Sequence, residues 1–571
     1  MKFKKLSFYL EDLDKTASRI CITEILASLF KESKANEIDK VVYLLLGTLA
    51  PNYRRVVFNV AERMMLQVAA KAYNKDLNFV KEDYKKRGDI GDVVYSLAKK
   101  SKGKSEKLLS VTEIYESLLK VAQDEGEGSQ ERKVSKLAEL LSILDPMSAK
   151  YVARIPVGKL RLGFSDKTVL DGLSWMERGD KSGKDKLDKA YHVLPDVGLL
   201  AKGVKEKGIE KATENITPQV GVPVLPMLAQ RLKKPSEMIE KMGKVAVEPK
   251  LDGLRIQIHH KKGKDGFTKV YTRNLNETSW MFPELKEIGK FIKAKEVILD
   301  TEAIGVDEER QKLANFQATM TRRRKHEIDE YQTKVPIKFF VFDILCKNGK
   351  DCMDGDYRKR RSILEKTVKR GKLFEVVDYT ITDNPEEIIK LNTKWRKEGL
   401  EGIVVKRVDS GYVPGRTGWR WVKMKEAQEA EGKLADTLDC IIMGYSVGKG
   451  RRAGFGIGQF LAGIIDKGKV KTITKVGTGL TDEQFSTLIK KLNKLVTDKK
   501  PKEYDVHKDY EPDYWVEPKV VVEIAADELT KSPRHTSGMA LRFPRLVKFR
   551  EDKSLKQITT KKEIIKLFSI Q

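Results

Sequence analysis

One lysine stands in a setting that suits covalent chemistry. Residues 248–255 have the sequence Glu-Pro-Lys-Leu-Asp-Gly-Leu-Arg, which places Lys250 in the pattern K-x-D-G-x-R. A lysine is a nucleophile only as the free amine, so its pKa must fall from about 10.4 through burial or through neighbouring cations. The competing interpretation is a turn closed by Asp252 and Gly253 in which Lys250 is merely solvated. Taken alone, the motif favours neither interpretation.

Further sequence motifs follow Lys250 along the chain and favour a nucleophilic lysine over a solvated turn. They are residues 271–274 (Tyr-Thr-Arg-Asn), 299–302 (Leu-Asp-Thr-Glu), 339–343 (Phe-Phe-Val-Phe-Asp), 400–406 (Leu-Glu-Gly-Ile-Val-Val-Lys) and 421–425 (Trp-Val-Lys-Met-Lys). Nucleotide transfer at an α-phosphate develops negative charge, and cations such as Lys406, Lys423 and Lys425 are expected to stabilise it. The i, i+2 spacing of Lys423 and Lys425 puts both on one face of a strand.

Two carboxylates and an aromatic ring complete the set. Glu302 and Glu401 offer oxygen ligands to a hard divalent ion, normally Mg²⁺. Phe342 offers a flat ring that stacks on a purine. Each residue taken alone also fits a role without chemistry: Phe342 as a core residue, Glu401 as a charged residue in a turn, and the lysines as solvated side chains. Their combination, in this order, favours nucleotidyl transfer.

The elements that must position these residues fall into segments of different character. From residue 1 to about 220, apolar residues at three- and four-residue spacing predict helices, as in residues 21–30, 56–72 and 134–144. A cluster of prolines and a glycine at residues 218–226 predicts a domain boundary. Beyond it, a helix is predicted over 385–397 among β-rich runs at 245–247, 254–259, 270–273, 297–299, 339–345 and 402–406.

The C-terminal part is again rich in predicted strands. Residues 440–445, 460–465 and 520–524 are expected to be strands around one helical segment, 482–495. A small β-barrel of the oligonucleotide-binding type suits this pattern. We therefore predict a multidomain fold, with an all-α N-terminal domain over 1–220, an α+β domain over 221–428 and a C-terminal OB-fold β-barrel over 429–571.

Composition narrows the class of partner. The 571 residues contain 111 Lys+Arg against 83 Asp+Glu, a formal charge of +28 that attracts polyanions, nucleic acid first among them. A Lys- and Glu-rich surface adapted to salt or heat is the alternative. The four cysteines are scattered without a CxxC pair, which argues against a zinc site or a disulfide framework. An apolar signal core is missing, and the longest apolar run, residues 41–50, is too short for a membrane span, so we expect a soluble, intracellular protein.

With these motifs, the chain resembles the ATP-dependent DNA ligases of the archaeal and eukaryotic replicative type, essentially over its whole length. The resemblance implies that residues 1–220 bind DNA, that 221–428 form the adenylation (nucleotidyltransferase) domain, and that Lys250 carries the adenylate. It further implies roles for residues around the nucleotide: Glu248 near the adenine and Phe342 on its face, Arg255 and Arg273 near the phosphate and the nicked strand, Glu302 at the ribose or the metal, Glu401 at the metal, and Lys423 and Lys425 at the α-phosphate.

One position departs from the family pattern. The family usually has an arginine four residues before the final tryptophan, whereas Thr417 holds that place here and Arg416 lies one residue further back. We expect Arg416 to bind on the triphosphate side, with Arg420 as the competing candidate.

Two more segments resemble family motifs. Residues 541–553 are similar to the last motif of the family, in which Arg545, Lys548, Asp552 and Lys553 would orient the departing pyrophosphate. Lys548 stands where related sequences often have arginine, and lysine does not replace arginine in a bidentate phosphate contact. Residues 125–129 and 154–163 are similar to loops of the DNA-binding domain, whose phosphate contacts would be made by Gly158, Lys159, Arg161 and Gly163. The alternative is helix-ending glycines beside solvated cations.

The resemblance implies a ligase that seals nicks in duplex DNA, through lysyl-AMP and DNA-adenylate intermediates, in replication, repair and recombination. Its cofactors would be ATP and Mg²⁺, with Mn²⁺ as a substitute, and it would act as a monomer in the cytoplasm, associated with the nucleoid. The alternatives are an RNA-end ligase, a capping-type guanylyltransferase or a non-catalytic basic DNA-binding protein. A sliding clamp as partner stays open, because no peptide of the form Q-x-x-aliphatic-x-x-aromatic-aromatic is visible. The range of donor nucleotides stays open as well.

Overall fold

The structure is a computed structural model of the whole chain. It describes residues 1–101, 106–158, 160, 162, 164–307, 335–415, 418–425, 437–448, 456–477, 480–526 and 528–570. The chain divides into two compact units. The first contains Met1–Lys75 and Val94–Ala427, and the second contains Asp76–Val93 and Gln428–Gln571.

The N-terminal part is helical, as the apolar spacing predicts. Some of its helices begin at clear capping signals: Ser110 and Glu113 form a capping box before α7, and Asp145 caps α9 with a proline in the first turn. A 3₁₀ turn, Asn52–Arg54, precedes α4, and α12 is kinked at Gly208. The helices are α1 Phe3–Lys15, α2 Arg19–Glu32, α3 Ile38–Leu45, α4 Glu62–Ala72, α5 Leu77–Arg87, α6 Ile90–Lys100, α7 Val111–Ala122, α8 Ser129–Ser142, α9 Pro146–Arg154, α10 Asp166–Arg178, α11 Lys184–Val193 and α12 Val197–Thr213.

One helix prediction is wrong at its start. The spacing predicted a helix over residues 56–72, but α4 begins only at Glu62. Arg55 and Asn59 have left-handed backbone angles, with φ of 54° and 52°, which a right-handed helix does not accept. The carbonyl of Phe58 is bound instead by the buried ammonium of Lys133, at 2.8 Å. Residues 56–61 are therefore an irregular segment fixed by a contact from α8.

The central part of the first unit contains two sheets. The first has the strand order β1-β11-β10-β2-β9, and the second has the order β4-β3-β5-β6-β7, with β8 also pairing β6. The predicted strands lie within these elements, except that the predicted strand 270–273 extends one residue beyond the end of β4, and the predicted helix 385–397 is α15. The bounds are β1 Gln230–Arg231, α13 Pro235–Met242, β2 Val245–Pro249, β3 Leu254–Lys261, β4 Phe267–Thr272, 3₁₀ turns Ser279–Met281 and Pro283–Lys290, β5 Glu296–Gly305, β6 Ile337–Lys347, β7 Lys350–Asp351, α14 Tyr357–Thr367, β8 Phe374–Val376, β9 Thr380–Thr382, α15 Pro385–Lys397, β10 Gly402–Arg407 and β11 Trp421–Lys425.

Strand alternation gives the first sheet one apolar and one polar face. Val247, Val405 and Val422 point to the side where Met238 of α13 and Ile388 of α15 complete a buried core. In β2, β10 and β11, residues one position away point to the other face, among them Glu248, Lys406 and Lys423. The connection from β2 to β3 passes from the first sheet to the second, and it contains Lys250.

A bulge in the second sheet places an aromatic ring. Asp300 of β5 pairs with Asp343 of β6, whereas the next residue, Thr301, pairs with Val341. Phe342 is therefore the extra residue of β6. A bulge of this kind bends the strand and redirects a side chain, and it is common beside active sites.

The second unit is rich in strands. One sheet has the order β15-β17-β12-β13-β14-β16, with β18 pairing both β12 and β21, and β19 and β20 form a separate hairpin. Within the described parts of this unit, the strand pairing does not close into a barrel. The bounds are β12 Leu438–Ser446, β13 Gln459–Asp466, β14 Lys469–Val476, α16 Asp482–Leu492, 3₁₀ turn Asn493–Leu495, β15 Val496–Thr497, β16 Tyr504–Asp505, 3₁₀ turn Lys508–Tyr510, β17 Tyr514–Val516, β18 Val521–Ala525, β19 Glu528–Lys531, β20 Met539–Arg542, β21 Arg545–Phe549, 3₁₀ turn Leu555–Gln557 and α17 Lys561–Ile570.

Among the helices of the described residues, none combines the length and the apolar character that crossing a membrane requires.

Candidate active site

Lys250 lies at the end of β2 and is held there by the backbone of β10. Its N–H donates to the carbonyl of Gly402 at 2.9 Å, and its own carbonyl accepts from the N–H of Glu401 at 3.3 Å. The side chain is 20% exposed; its Nζ donates to the carbonyl of Leu251 at 3.3 Å and forms an ion pair with Glu401. The predicted nucleophile and one predicted metal ligand are thus in direct contact.

Glu302 approaches the same turn from the second sheet. It lies on β5 directly opposite Arg255 on β3, and its Oε1 accepts from the N–H of Gly253 at 3.2 Å. Burial raises the pKa of Glu302 to about 7, although the charges of Lys250 and Arg255 oppose that rise. A Cβ on Gly253 would lie 2.5 Å from the carbonyl oxygen of Ala303, so the close approach of the turn to β5 requires glycine.

Arg255 is fixed by a carboxylate to which motif spacing assigned no role. Its Nε and Nη2 donate to the two carboxylate oxygens of Asp300 at 3.0 and 2.7 Å, and Nη1 donates to the carbonyl of Met227 at 2.8 Å. The hydroxyl of Tyr412 donates to Asp300 at 2.8 Å. Asp300 is fully buried, so this bidentate pair sets the position of the guanidinium.

Glu248 and Lys406 form a buried ion pair. The Nζ of Lys406 lies 2.7 Å from Oε2 of Glu248, and the two side chains are 1% and 3% exposed. The hydroxyl of Tyr357 donates to the other oxygen, Oε1, at 2.8 Å. Burial lowers the pKa of Lys406, and the charge of Glu248 opposes that shift. Lys406 differs here from the sequence-based expectation, which grouped it with cations that face a phosphate.

Phe342 lies beside this pair and is partly exposed. The Nζ of Lys406 lies 4.9 Å from its ring centre, the guanidinium of Arg255 lies 5.3 Å from it, and the ring of Trp421 meets it edge-on with centroids 6.1 Å apart. The next residue, Asp343, is bound by Arg360 at 2.8 and 3.1 Å. The bulge, the two cations and the buried Asp343–Arg360 pair therefore fix the ring next to Glu248.

The other predicted phosphate ligands are less closely grouped. Lys423 shares a row across the sheet with Glu248, because both pair with Val404, so it faces the same side. Arg273 is exposed, one residue beyond the end of β4. The backbone of Lys425 pairs with Gly402. Arg416 lies outside the described residues.

In the second unit, the predicted pyrophosphate ligands have partners of their own. Arg545 and Lys548 lie on β21, and Lys548 faces Glu523 at 3.5 Å. Lys553 binds Asp439 at 2.5 Å. Asp552 accepts from Nε and Nη2 of Arg550 at 2.9 and 2.7 Å, and this pairing lowers the pKa of Asp552. Motif spacing did not mark Arg550 or Asp439, although Arg550 lies within the C-terminal motif at residues 541–553.

In the helical part, Gly158 follows α9 with a left-handed φ of 64°, and its N–H donates to the carbonyl of Ile155 at 2.9 Å. Lys159, Arg161 and Gly163, the other predicted DNA contacts, lie outside the described residues.

Comparisons with known proteins agree over the whole chain. Sequence models match residues 2–174 (DNA ligase N terminus), 226–425 (ATP dependent DNA ligase domain) and 453–553 (ATP dependent DNA ligase C terminal region). A "Probable DNA ligase" of Dictyoglomus turgidum is 40% identical over 100% of this chain and 97% of its own length. A "DNA ligase" of Sulfurisphaera tokodaii is 35% identical over 100% of this chain and 98% of its own length. The solved structure "Pmar-Lig_PreS3" has the same fold, with a TM-score of 0.57 and 18% identity over 95% of this chain and 99% of that one.

Proposed function

This chain belongs to the ATP-dependent DNA ligases, and on that premise we propose that Lys250 carries the adenylate during DNA joining. The family assignment makes the chain an enzyme that joins DNA with ATP. The observation that carries the proposal is the position of Lys250. Its ammonium pairs with Glu401 at a turn that Glu302 also binds, and Glu248, whose ion-pair partner Lys406 lies against Phe342, is two residues earlier on β2.

The proposed reaction has three displacements. The free amine of Lys250 attacks the α-phosphorus of ATP, forms a P–N bond and expels diphosphate. A 5′-phosphate oxygen at the nick then attacks the same phosphorus and releases the lysine. Finally the 3′-hydroxyl attacks the 5′-phosphorus, which forms the phosphodiester and expels AMP. The Nζ proton must leave before the first attack, and Glu401 is the carboxylate in contact with it.

The nucleotide is proposed to lie between the two sheets. The face of Phe342 is offered to the adenine and the carboxylate of Glu248 to its exocyclic amine, because the ring and the carboxylate share Lys406 as a neighbour. The ribose is assigned to Glu302. Cations are assigned to the phosphates and the nicked strand: Arg255, Arg416, Lys423 and Lys425 to the phosphates, and Arg273 to the nicked strand.

Glu302 and Glu401 fit a Mg²⁺ ion. They are carboxylates that each contact the 250–253 turn, Glu401 at Lys250 and Glu302 at Gly253, and oxygen ligands are what this ion prefers. Groups of three or more His, Cys, Asp or Glu side chains suited to a metal are missing from the described residues, so a two-carboxylate site is proposed. When bound, Mg²⁺ or Mn²⁺ would neutralise charge on the phosphate oxygens.

The remaining regions are assigned by the same premise. We propose a DNA-binding domain over 1–220, an adenylation domain over 221–428 and an OB-fold domain over 429–571. Phosphate contacts with duplex DNA are assigned to Gly158, Lys159, Arg161 and Gly163, and the orientation of pyrophosphate to Arg545, Lys548, Asp552 and Lys553. The enzyme would act as a monomer on nicked DNA, in the cytoplasm, in replication, repair and recombination.

Two substrates separate the role of Lys250 from general damage to the enzyme. Lys250→Ala is expected to lose sealing of a 5′-phosphate nick with ATP, yet to seal a nick whose 5′-phosphate already carries AMP. The matched control is Lys293→Ala, an exposed lysine of the same domain, which is expected to seal both substrates as the wild type does. Sealing of the 5′-phosphate nick by Lys250→Ala would overturn the proposal.

A further inference from the structure

A strained turn carries the exposed Arg273. In residues 272–276, the N–H of Leu275 donates to the carbonyl of Thr272 at 2.8 Å, and the N–H of Thr272 donates to the carbonyl of Asn276 at 2.9 Å. Leu275 has a φ of 62°, a left-handed conformation that a leucine rarely adopts. Such a conformation persists only where surrounding contacts enforce it, and it is often found at functional sites.

Contacts from the helical part reach this turn. The side-chain amide of Asn52 donates to the carbonyl of Asn274 at 3.3 Å. Nη1 of Arg55 donates to Oε2 of Glu277 at 2.9 Å. The two acceptors lie on either side of Leu275, so the turn is bound at both ends by one short segment. All of these residues belong to the first unit.

The segment that reaches across is itself firmly anchored. Tyr53 donates its hydroxyl to Oδ2 of Asp196 at 3.2 Å, and Nη2 of Arg54 lies 3.2 Å from the same oxygen. Asp196 is fully buried and also accepts from the hydroxyl of Tyr43 at 2.6 Å. Arg55 follows with a left-handed φ of 54°. Its guanidinium is therefore presented from a rigid base.

The Arg55–Glu277 pair is poorly placed to stabilise the fold. Arg55 is 51% exposed and Glu277 is 14% exposed, and ion pairs of this kind contribute little to stability. Glu277 is also the acceptor for the N–H of Ser279 at 2.9 Å, so the carboxylate connects the turn to the following 3₁₀ turn. The pair fixes geometry rather than adding to the core.

We propose that Arg55 and Glu277 are positioning residues, which hold the 272–277 turn so that Arg273 is presented correctly to nicked DNA. The inference rests on the proposed contact of Arg273 with the nicked strand. In addition to binding the duplex, the helical part would then fix the conformation of a turn in the catalytic domain. Sealing of DNA should depend on the pair, whereas formation of lysyl-AMP without DNA should not.

The test uses two variants with opposite effects on net charge. Arg55→Ala removes a positive charge and Glu277→Gln removes a negative one, yet both break the pair. In single-turnover sealing by pre-adenylated enzyme, each is expected to be about tenfold slower than the wild type, since small errors of position are costly in catalysis. Self-adenylation and thermal unfolding are expected to be unchanged in both. The exchanged pair, Arg55→Glu with Glu277→Arg, is expected to recover most of the sealing rate.

Arg370→Ala is the matched control. Arg370 is 52% exposed and forms a comparable pair with Glu375 at 3.0 Å in the same unit, so its loss should leave sealing unchanged. A slower Arg55→Ala beside an unaffected or faster Glu277→Gln would show that Arg55 simply binds DNA phosphate, and would overturn the inference. Normal sealing by both variants would overturn it as well. A wild-type chain that forms no lysyl-AMP would instead refute the proposed function.

Discussion

Lys406→Met tests how strongly the buried ion pair of Lys406 and Glu248 stabilises the catalytic domain. The substitution keeps the length and apolar contacts of the side chain but removes the charge that pairs with Glu248 at 2.7 Å. Among the residues that the structure describes, the hydroxyl of Tyr357, at 2.8 Å, would be the remaining donor to that carboxylate. With side chains 1% and 3% exposed, the pair counts as buried, and breaking such a pair from one side costs about 3–5 kcal/mol.

Urea unfolding of the full chain measures this cost. Lys406→Met should lower the stability of the catalytic domain by that amount, whereas Lys406→Met combined with Glu248→Gln should recover most of it, because no charge is then left buried. The matched control is Lys241→Met, whose partner Glu237 lies 3.4 Å away at the surface, and which should change stability by about 0.5 kcal/mol or less. A loss below about 1 kcal/mol for Lys406→Met, or a double variant no better than the single one, would refute the reasoning.

Three further predictions concern the site itself. Burial raises the pKa of Glu302 to about 7, and only the ionised carboxylate binds a cation. The Mg²⁺ concentration for half-maximal lysyl-AMP formation should therefore fall from pH 6 to pH 8. A Mg²⁺ requirement that is the same at both pH values would contradict this prediction. Tyr412→Phe removes a hydrogen bond to the buried Asp300 and should slow sealing by about tenfold. An unchanged sealing rate would show that Asp300 does not position Arg255. Phe342→Ala should weaken ATP binding by about 1–3 kcal/mol in isothermal titration, and unaltered affinity would exclude stacking on this ring.

Local signals explain why many elements were predictable. Helix α15 was predicted with its observed bounds, because Asn384 caps it, Pro385 occupies its first turn and Gly399 follows its end. The start of α4 was not predictable in the same way. The spacing of residues 56–61 suits a helix, and what prevents one is a tertiary contact, from Lys133 to Phe58, that no local pattern reveals.

The candidate site also contains residues that the sequence predicted and residues that only the structure reveals. Lys250, Glu302, Glu401 and Phe342 were predicted as site residues because motif spacing marks them. Asp300, Tyr357 and Tyr412 were missed because their importance lies in contacts with residues far away in sequence. Asp300 even lies within the 299–302 motif, but its contact with Arg255 becomes visible only when β5 is paired with β3.

The sequence also could not predict which lysine side chains are buried. Lys406 looks like Lys423 in the sequence, since both are lysines on strands of one sheet. The structure buries the ammonium of Lys406 against Glu248, Phe342 and Trp421. Lys423 instead pairs across the sheet with Val404, two residues before Lys406 on β10. Burial of a charge depends on how the two sheets meet, which strand patterns do not specify.

The central claim is that Lys250 is the residue that carries AMP. Its most direct test is incubation with ATP and Mg²⁺ without DNA, followed by peptide mass spectrometry under conditions that preserve a phosphoramidate. We predict an AMP adduct on the peptide that contains Lys250, attached to its side chain and removed by acid. An adduct on another residue, or none in a preparation that seals nicks with ATP, would contradict the account.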